Sequence, residues 1–226
     1  MKKKIDILSE TPLFSGLPEN QLEEIEQIAI EKRLSKGATI FVEGDDCNGF
    51  YVVVEGRIKI YKVSSEGKEQ ILHIFGAGEP FGEVPVFTGK PFPANAEALI
   101  KSRLLFFPRK AFVDLISDNP SLALNMLAIL STRLRRFTVQ IENLSLKEVP
   151  SRLAAYLIYL AEEQRRKDSV KLHISKGQLA SLLGTIPETL SRIFAKMSTQ
   201  NLIQVSGRDI NIINLAGLED LAEHGK

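Results

Sequence analysis

Hydrophobic and polar positions change their period twice along the chain, and the changes divide it into three. Up to about residue 117 the apolar runs are short. TIFVEG, FYVVVEG, RIKIYKV and QILHIF are rich in β-branched and aromatic residues, and glycines at 37, 44, 49, 56, 67, 76, 78, 82 and 89 punctuate them. In RIKIYKV, Ile58, Ile60 and Lys62 face one way and Arg57, Lys59 and Tyr61 the other, which is the two-residue period of a strand. SSEGKE reads as a hairpin turn. After a short opening helix over residues 21–30, this pattern predicts a compact β-roll, or jelly roll.

From Asn119 the period lengthens. Asn119-Pro120 reads as an N-cap followed by proline in the first helical position. Ala123, Leu127, Leu130, Leu134, Phe137, Ile141 and Leu144 then recur at alternating spacings of four and three, a heptad seam. The helix would run about 25 residues, or about 37 Å. Such a helix either packs on its own domain or forms one half of a parallel coiled-coil dimer. The seam favours the dimer, although three heptads alone do not fix an oligomeric state.

The third region begins near Glu148. Residues 151–165 are amphipathic, with Leu153, Tyr156, Leu157 and Leu160 on one side, and the charged EEQRRKD ends them. Ser175-Lys-Gly-Gln178 is a capping box opening a short helix. Leu179, Leu182 and Leu183 form its apolar face, and Gly184 stops it. In GTIPETLSRIF, Leu190, Ile193 and Phe194, with Met197 beyond, make the next buried stripe. QVSGRDINII alternates around a Ser-Gly-Arg-Asp turn. Helix, tight glycine turn, helix and hairpin make a winged helix-turn-helix. The expected organisation is α+β: an N-terminal β-roll, or jelly roll (1–118), a dimerisation helix (119–146) and a winged helix-turn-helix (147–226).

Composition narrows the classes. The chain has 226 residues, 44% hydrophobic and 25% charged, as ordinary globular proteins do. No apolar run is long enough to span a bilayer, so no membrane partner is expected. MKKKIDILSETPLF lacks the apolar core and cleavage site of a signal peptide, and a cytoplasmic protein is the natural expectation. Net charge is +1, so nucleic-acid binding would have to come from a local patch. Cys47 is the single cysteine, which excludes an intrachain disulfide and a four-thiolate iron–sulfur cluster. It reads as an exposed loop residue with nothing nearby to lower its pKa. His73, His173 and His224 are too scattered to suggest zinc. No nucleophile–base pair or phosphate-cradling loop is legible, so an enzyme is not expected.

The candidate chemistry lies near the start of the second short helix. Glu188, Ser191 and Arg192 stand at i, i+3 and i+4 and share a face. In a helix-turn-helix this face would lie in the major groove. Arg192 could bond guanine O6 and N7, Glu188 could accept from cytosine N4, and Ser191 is adaptable. Pro187 is tolerated in a first turn. Lys196, Lys176 and Thr189 are placed for the phosphate backbone. The alternative is a capped surface: a capping box from Thr185 to Glu188, with Arg192 a solvated partner of Glu188.

At this point the chain resembles the Crp/Fnr family of bacterial transcription regulators over nearly its whole length. VVVEGRIKIYK and IFGAGEPFGE look like that family's β-roll glycines, and Glu188, Ser191 and Arg192 fall on the E-x-x-S-R positions of its Fnr-type branch. The resemblance implies a homodimer joined through Leu127, Leu130, Leu134, Phe137, Ile141 and Leu144. It also implies a palindromic promoter site in double-stranded DNA, with half-sites about 34 Å apart, and recruitment of RNA polymerase. Gly82 and Glu83 match the effector cassette. Pro93 and Ala94, however, stand where the cyclic-AMP branch has its phosphate-holding Arg and Ser, which argues against cyclic AMP. Val84 stands where the carbon-monoxide-sensing branch has its haem ligand. PFPANAEAL and GTIPETLSRIF look most like the nitric-oxide and nitrosative-stress regulators, which implies a haem, with His73 as the candidate axial ligand. The alternative for His73 is a strand histidine satisfied by a neighbour. Two other functions stay open: an effector-sensing module acting by protein–protein contact, and a cyclic-nucleotide-responsive regulator with an altered pocket.

Overall fold

The computed structural model describes residues 4–166 and 168–224. Lys167, in the charged stretch EEQRRKD, lies outside the described residues. The chain forms two compact units, Met1–Leu134 and Arg135–Lys226, so the boundary falls inside the long helix and that helix is not a unit of its own.

The first unit opens with α1 (Lys4–Glu10), a 3-10 turn (Pro12–Phe14) and α2 (Glu19–Ile28). The expected opening helix is therefore shifted back by two residues and preceded by another. Ile30 already belongs to β1 (Ile30–Leu34). β2 (Thr39–Phe41), β3 (Gly49–Glu55), β4 (Ile58–Val63), β5 (Glu69–Phe75) and β6 (Pro80–Phe81) follow. Then come α3 (Val84–Thr88), β7 (Asn95–Ala98), β8 (Ser102–Pro108) and α4 (Arg109–Asp118). The strands form two antiparallel four-stranded sheets, β1-β8-β3-β6 and β2-β7-β4-β5.

β3 explains why FYVVV is continuously apolar rather than alternating. Tyr51 and Val53 point between the sheets, among Phe41, Ile58, Phe75, Phe81, Phe92 and Leu104. Phe50 and Val52 point the other way, under a helical layer that includes Leu8, Phe14, Ile25, Phe112, Leu122 and Met126. Both faces are covered, so both residue sets are apolar. In β4 the simple alternation fails, since Ile58 and Lys59 are both buried, and the pairing with β5 shifts register between Ile60 and Tyr61. Lys59 is only 7% exposed. It is held there by ion pairs to Glu69 and Glu97 and by the Tyr61 ring, 4.1 Å from its Nζ.

The long helix α5 runs Pro120–Leu146, 27 residues, as the Asn119-Pro120 signal and the heptads require. In the second unit, α6 (Val149–Glu163) packs Leu153, Leu157 and Leu160 toward α9 (Leu215–His224), a helix the sequence pattern did not reveal. Between them lie β9 (Ser169–Lys171), α7 (Lys176–Leu182), α8 (Pro187–Thr199), β10 (Ile203–Ser206) and β11 (Asp209–Ile212). The expected hairpin β10–β11 gains β9 as a third strand, in the order β10-β11-β9. No helix among the described residues is long and apolar enough to cross a membrane.

Candidate nucleic-acid interface and effector cassette

The turn between α7 and α8 is built by local rules. Ser175 and Gln178 form the complete capping box, each side chain bonded to the other's backbone N–H. At the far end Gly184 takes φ +68°, a left-handed conformation that costs glycine little. Its N–H reaches Ser181 O, and Thr185 N–H reaches Ala180 O, the paired bonds of a Schellman stop. Arg152 secures the same turn. Its guanidinium donates to Leu183 O (2.8 Å), to Lys147 O (2.8 Å) and to Leu144 O (3.2 Å). One cation thereby ties the ends of α5 and α7, where carbonyls lack helical partners and a positive charge is favourable.

α8 then divides cleanly. Leu190, Ile193, Phe194 and Met197 are buried, whereas Pro187, Glu188, Ser191, Arg192 and Lys196 are exposed and Thr189 is half-buried. Lys176 is exposed too, with Nζ 5.4 Å over the Phe194 ring. The capping box from Thr185 to Glu188 does not form: the N-cap is Ile186, and no side chain caps the helix. Arg192 donates to Thr189 Oγ1 at 3.2 Å rather than to Glu188. Two residues join this surface that sequence reasoning missed. Ile186 is 50% exposed at the N-cap. Arg208 is exposed at the tip of the wing, where the basic SGRD turn was the available signal. Arg152 gave no signal, since an arginine in an amphipathic helix reads as surface.

The cassette behaves in the opposite way. Gly82 has φ +74°, and a Cβ there would stand 3.2 Å from the Phe41 ring and 3.4 Å from Phe92. Those two rings stack with centroids 3.7 Å apart and fill the space between the sheets. Glu83 is 3% exposed. Its carboxylate accepts from Arg133 of α5, which also donates to Pro80 O and lies 4.9 Å over the Phe75 ring. Ala94 is buried, and Pro93 O accepts from Lys62 Nζ, itself paired with Glu43. The cation beside Pro93, Lys62, is already engaged by Glu43 and by the Pro93 carbonyl.

His73 packs edge-on against Phe75, at 4.5 Å between centroids. Its Nε2 lies 3.9 Å from Glu79 Oε1. Burial alone would raise the Glu79 pKa. The nearby His73, the bond from the Gly76 N–H and the charge of Arg133 outweigh burial and hold it below the usual carboxylate range. The residues present do not fit a haem: the nitrogen that iron would take faces a carboxylate, and the neighbouring interior is filled by aromatic rings. Cys47 is half-buried rather than exposed, packed between the two cores. Burial pushes its thiol pKa up, against the smaller effects of a backbone hydrogen bond at Gly49 and the charge of Arg109, so it is a poor nucleophile.

On α5 the seam is exposed in the single chain at Leu127 (59%), Leu134 (68%), Phe137 (43%) and Ile141 (64%). Leu130 is half-buried and packs on the chain's own core beside Met126; Leu144 is also half-buried.

Comparison with known proteins gives a consistent result. The Cyclic nucleotide-binding domain family matches residues 31–119, and the Crp-like helix-turn-helix domain family matches residues 151–221. The fumarate and nitrate reduction regulatory protein of Vibrio cholerae is 30% identical, over 91% of this chain and 84% of its own length. The CRP-like cAMP-activated global transcriptional regulator of Mycobacterium tuberculosis is 26% identical, over 92% of this chain and 94% of its own. Among solved structures, FixK2 from Bradyrhizobium japonicum superposes with a TM-score of 0.77 at 26% identity, covering 86% of this chain and 97% of its own.

Proposed function

Since the chain belongs to the Crp/Fnr family and is a DNA-binding transcription regulator with a cyclic-nucleotide-binding-type sensor domain, we propose that it acts as a homodimer on a palindromic promoter site. The signal is a small effector other than cyclic AMP. The observation that carries the dimer reading is the exposed apolar stripe of Leu127, Leu134, Phe137 and Ile141 along one side of α5. A stripe of that length left in water is costly, and a second copy of the same helix covers it by the heptad rule. Two copies of α8 then meet two half-sites about 34 Å apart. Recruitment of RNA polymerase follows from the family.

The effector reading is supported by the cassette. The ring stack of Phe41 and Phe92 occupies the interior, Glu83 is already paired with Arg133, and the cation beside Pro93, Lys62, is engaged by Glu43 and the Pro93 carbonyl. The PFPANAEAL and GTIPETLSRIF stretches favour the nitrosative-stress regulators as the nearest functional type. His73 as a haem ligand draws no support from its surroundings.

Sedimentation of the full chain with and without Leu134→Glu and Ile141→Glu tests the dimer. A wild-type dimer that the double substitution splits, with loss of promoter binding, is expected. A wild-type monomer at concentrations that bind DNA overturns it. Calorimetry with cyclic AMP tests the second part, and saturable binding at one site per chain would overturn it.

A further inference from the structure

The start of α8 carries an expense that the fold does not require. Its N-cap is Ile186, a residue that offers no acceptor to the first-turn N–H groups, where Ser, Thr, Asp or Asn is favoured. Burial does not offset this, because Ile186 is 50% exposed. The same motif opens α7 with a complete capping box at Ser175, so a cap is used where only folding needs one. Exposed Pro187 extends the apolar patch by one residue, and exposed Glu188, Ser191 and Arg192 border it.

We propose that Ile186 touches the 5-methyl group of one thymine in each half-site and so sets specificity at that base pair. The proposal rests on α8 being the DNA-reading helix. In the major groove, thymine is the base that presents a methyl group, and apolar side chains are its ordinary contacts. The N-terminal end of a reading helix is the part that meets base edges. Ile186 is also prepared for such a contact. It precedes proline, which confines it to extended backbone, and it is found at φ −110°, ψ 154°. Its β-branched side chain has few rotamers to lose on binding. The patch is continuous with the polar reading face, and a DNA duplex is the partner that this face fits.

The test begins by selecting sites from random duplexes with the full chain. Each thymine of the selected half-site is then replaced by deoxyuridine, which removes only the methyl. At one thymine per half-site, wild-type affinity should fall about fourfold, or about fifteenfold when both halves are changed. Ile186→Ser should bind the thymine site that much more weakly and be indifferent to the same deoxyuridine. Ile186→Val should keep the response. Serine is the better cap, so Ile186→Ser should melt no lower than wild type, and its salt dependence should be unchanged because no phosphate contact is lost. If deoxyuridine weakens wild type and Ile186→Ser equally at every position, or weakens neither, the proposal falls while DNA reading stands. If selection enriches no sequence and Arg192→Ala binds as wild type, the reading itself falls, and the proposal with it.

Discussion

Helix α8 and the cassette at Gly82 are both short and rich in motif residues, yet they deploy their polar groups in opposite ways. On α8, Glu188, Ser191, Arg192 and Lys196 point outward and make few contacts within the chain. In the cassette, Glu83 is buried on Arg133, Glu79 receives His73 and the Gly76 N–H, and aromatic rings occupy the space between the sheets. The first surface is built to meet something large that brings its own charges. The second is already satisfied from within, so any effector must displace a partner or act on the arrangement from outside. A regulator needs both: an outlet that is always ready and an input whose resting state is self-contained.

The contrast breaks most visibly if the cassette's packing is removed. Phe92 is 5% exposed and stacked on Phe41, so Phe92→Ala should cost about 3–5 kcal/mol of stability in the first unit. Chemical denaturation followed by near-ultraviolet circular dichroism measures it. A loss below about 1 kcal/mol would mean that the interior is not close-packed and is open to a ligand at rest. The matching change on α8 should do the reverse. Arg192→Ala should leave stability within about 0.5 kcal/mol and weaken promoter binding by about 1–3 kcal/mol per half-site, relaxing one base pair. Anisotropy titration against matched and mismatched duplexes would separate these. Equal affinity for both proteins would remove α8 from the interface.

The same contrast explains what the sequence could tell. α8 was legible because its logic is local: a 3.6-residue period, a glycine stop and a capping box lie within 25 residues of one another. The heptads of α5 were legible for the same reason. The cassette was not, because Glu83 and Arg133 stand fifty positions apart and neither carries a sign of the other. The burial of Lys59 was illegible for a related reason: its carboxylate partners, Glu69 and Glu97, stand on neighbouring strands, ten and thirty-eight positions along the chain. The extra elements α3, α4 and β9 lack strong caps or alternation. Cys47 looked like a loop-tip thiol because EGDDCNG is polar, yet its side chain turns back between the two cores.

Arg152 sharpens the comparison from a third position, because it serves the outlet from beneath. Its three bonds to Leu144, Lys147 and Leu183 carbonyls hold the turn before Gly184 against the end of α5. Arg152→Met keeps the stem's packing and removes all three. The loss should be about 2 kcal/mol in stability of the second unit, given partial exposure. Promoter binding should weaken without any change in which base is preferred, since no reading residue is touched. A shift in base preference would mean that the turn, and not only α8, reads sequence.

The smallest effect tests whether the input is electrostatically self-contained. Glu79 is held below its ordinary pKa of 4.5 by His73, Gly76 N–H and Arg133. A carboxylate depressed in the folded state adds stability above its unfolded pKa and loses it as pH falls through the folded value. Wild type should therefore melt slightly above Glu79→Gln at pH 7, by under about 1 kcal/mol because the side chain is partly exposed and screened. The difference should close as pH drops below about 4.5 and continues through the depressed value. It should also shrink in high salt, whereas the packing of Phe92 should not. A gap between the two melting curves that ignored both pH and salt would assign Glu79 a steric role and leave the Arg133–Glu83 ion pair to tie the cassette electrostatically to α5.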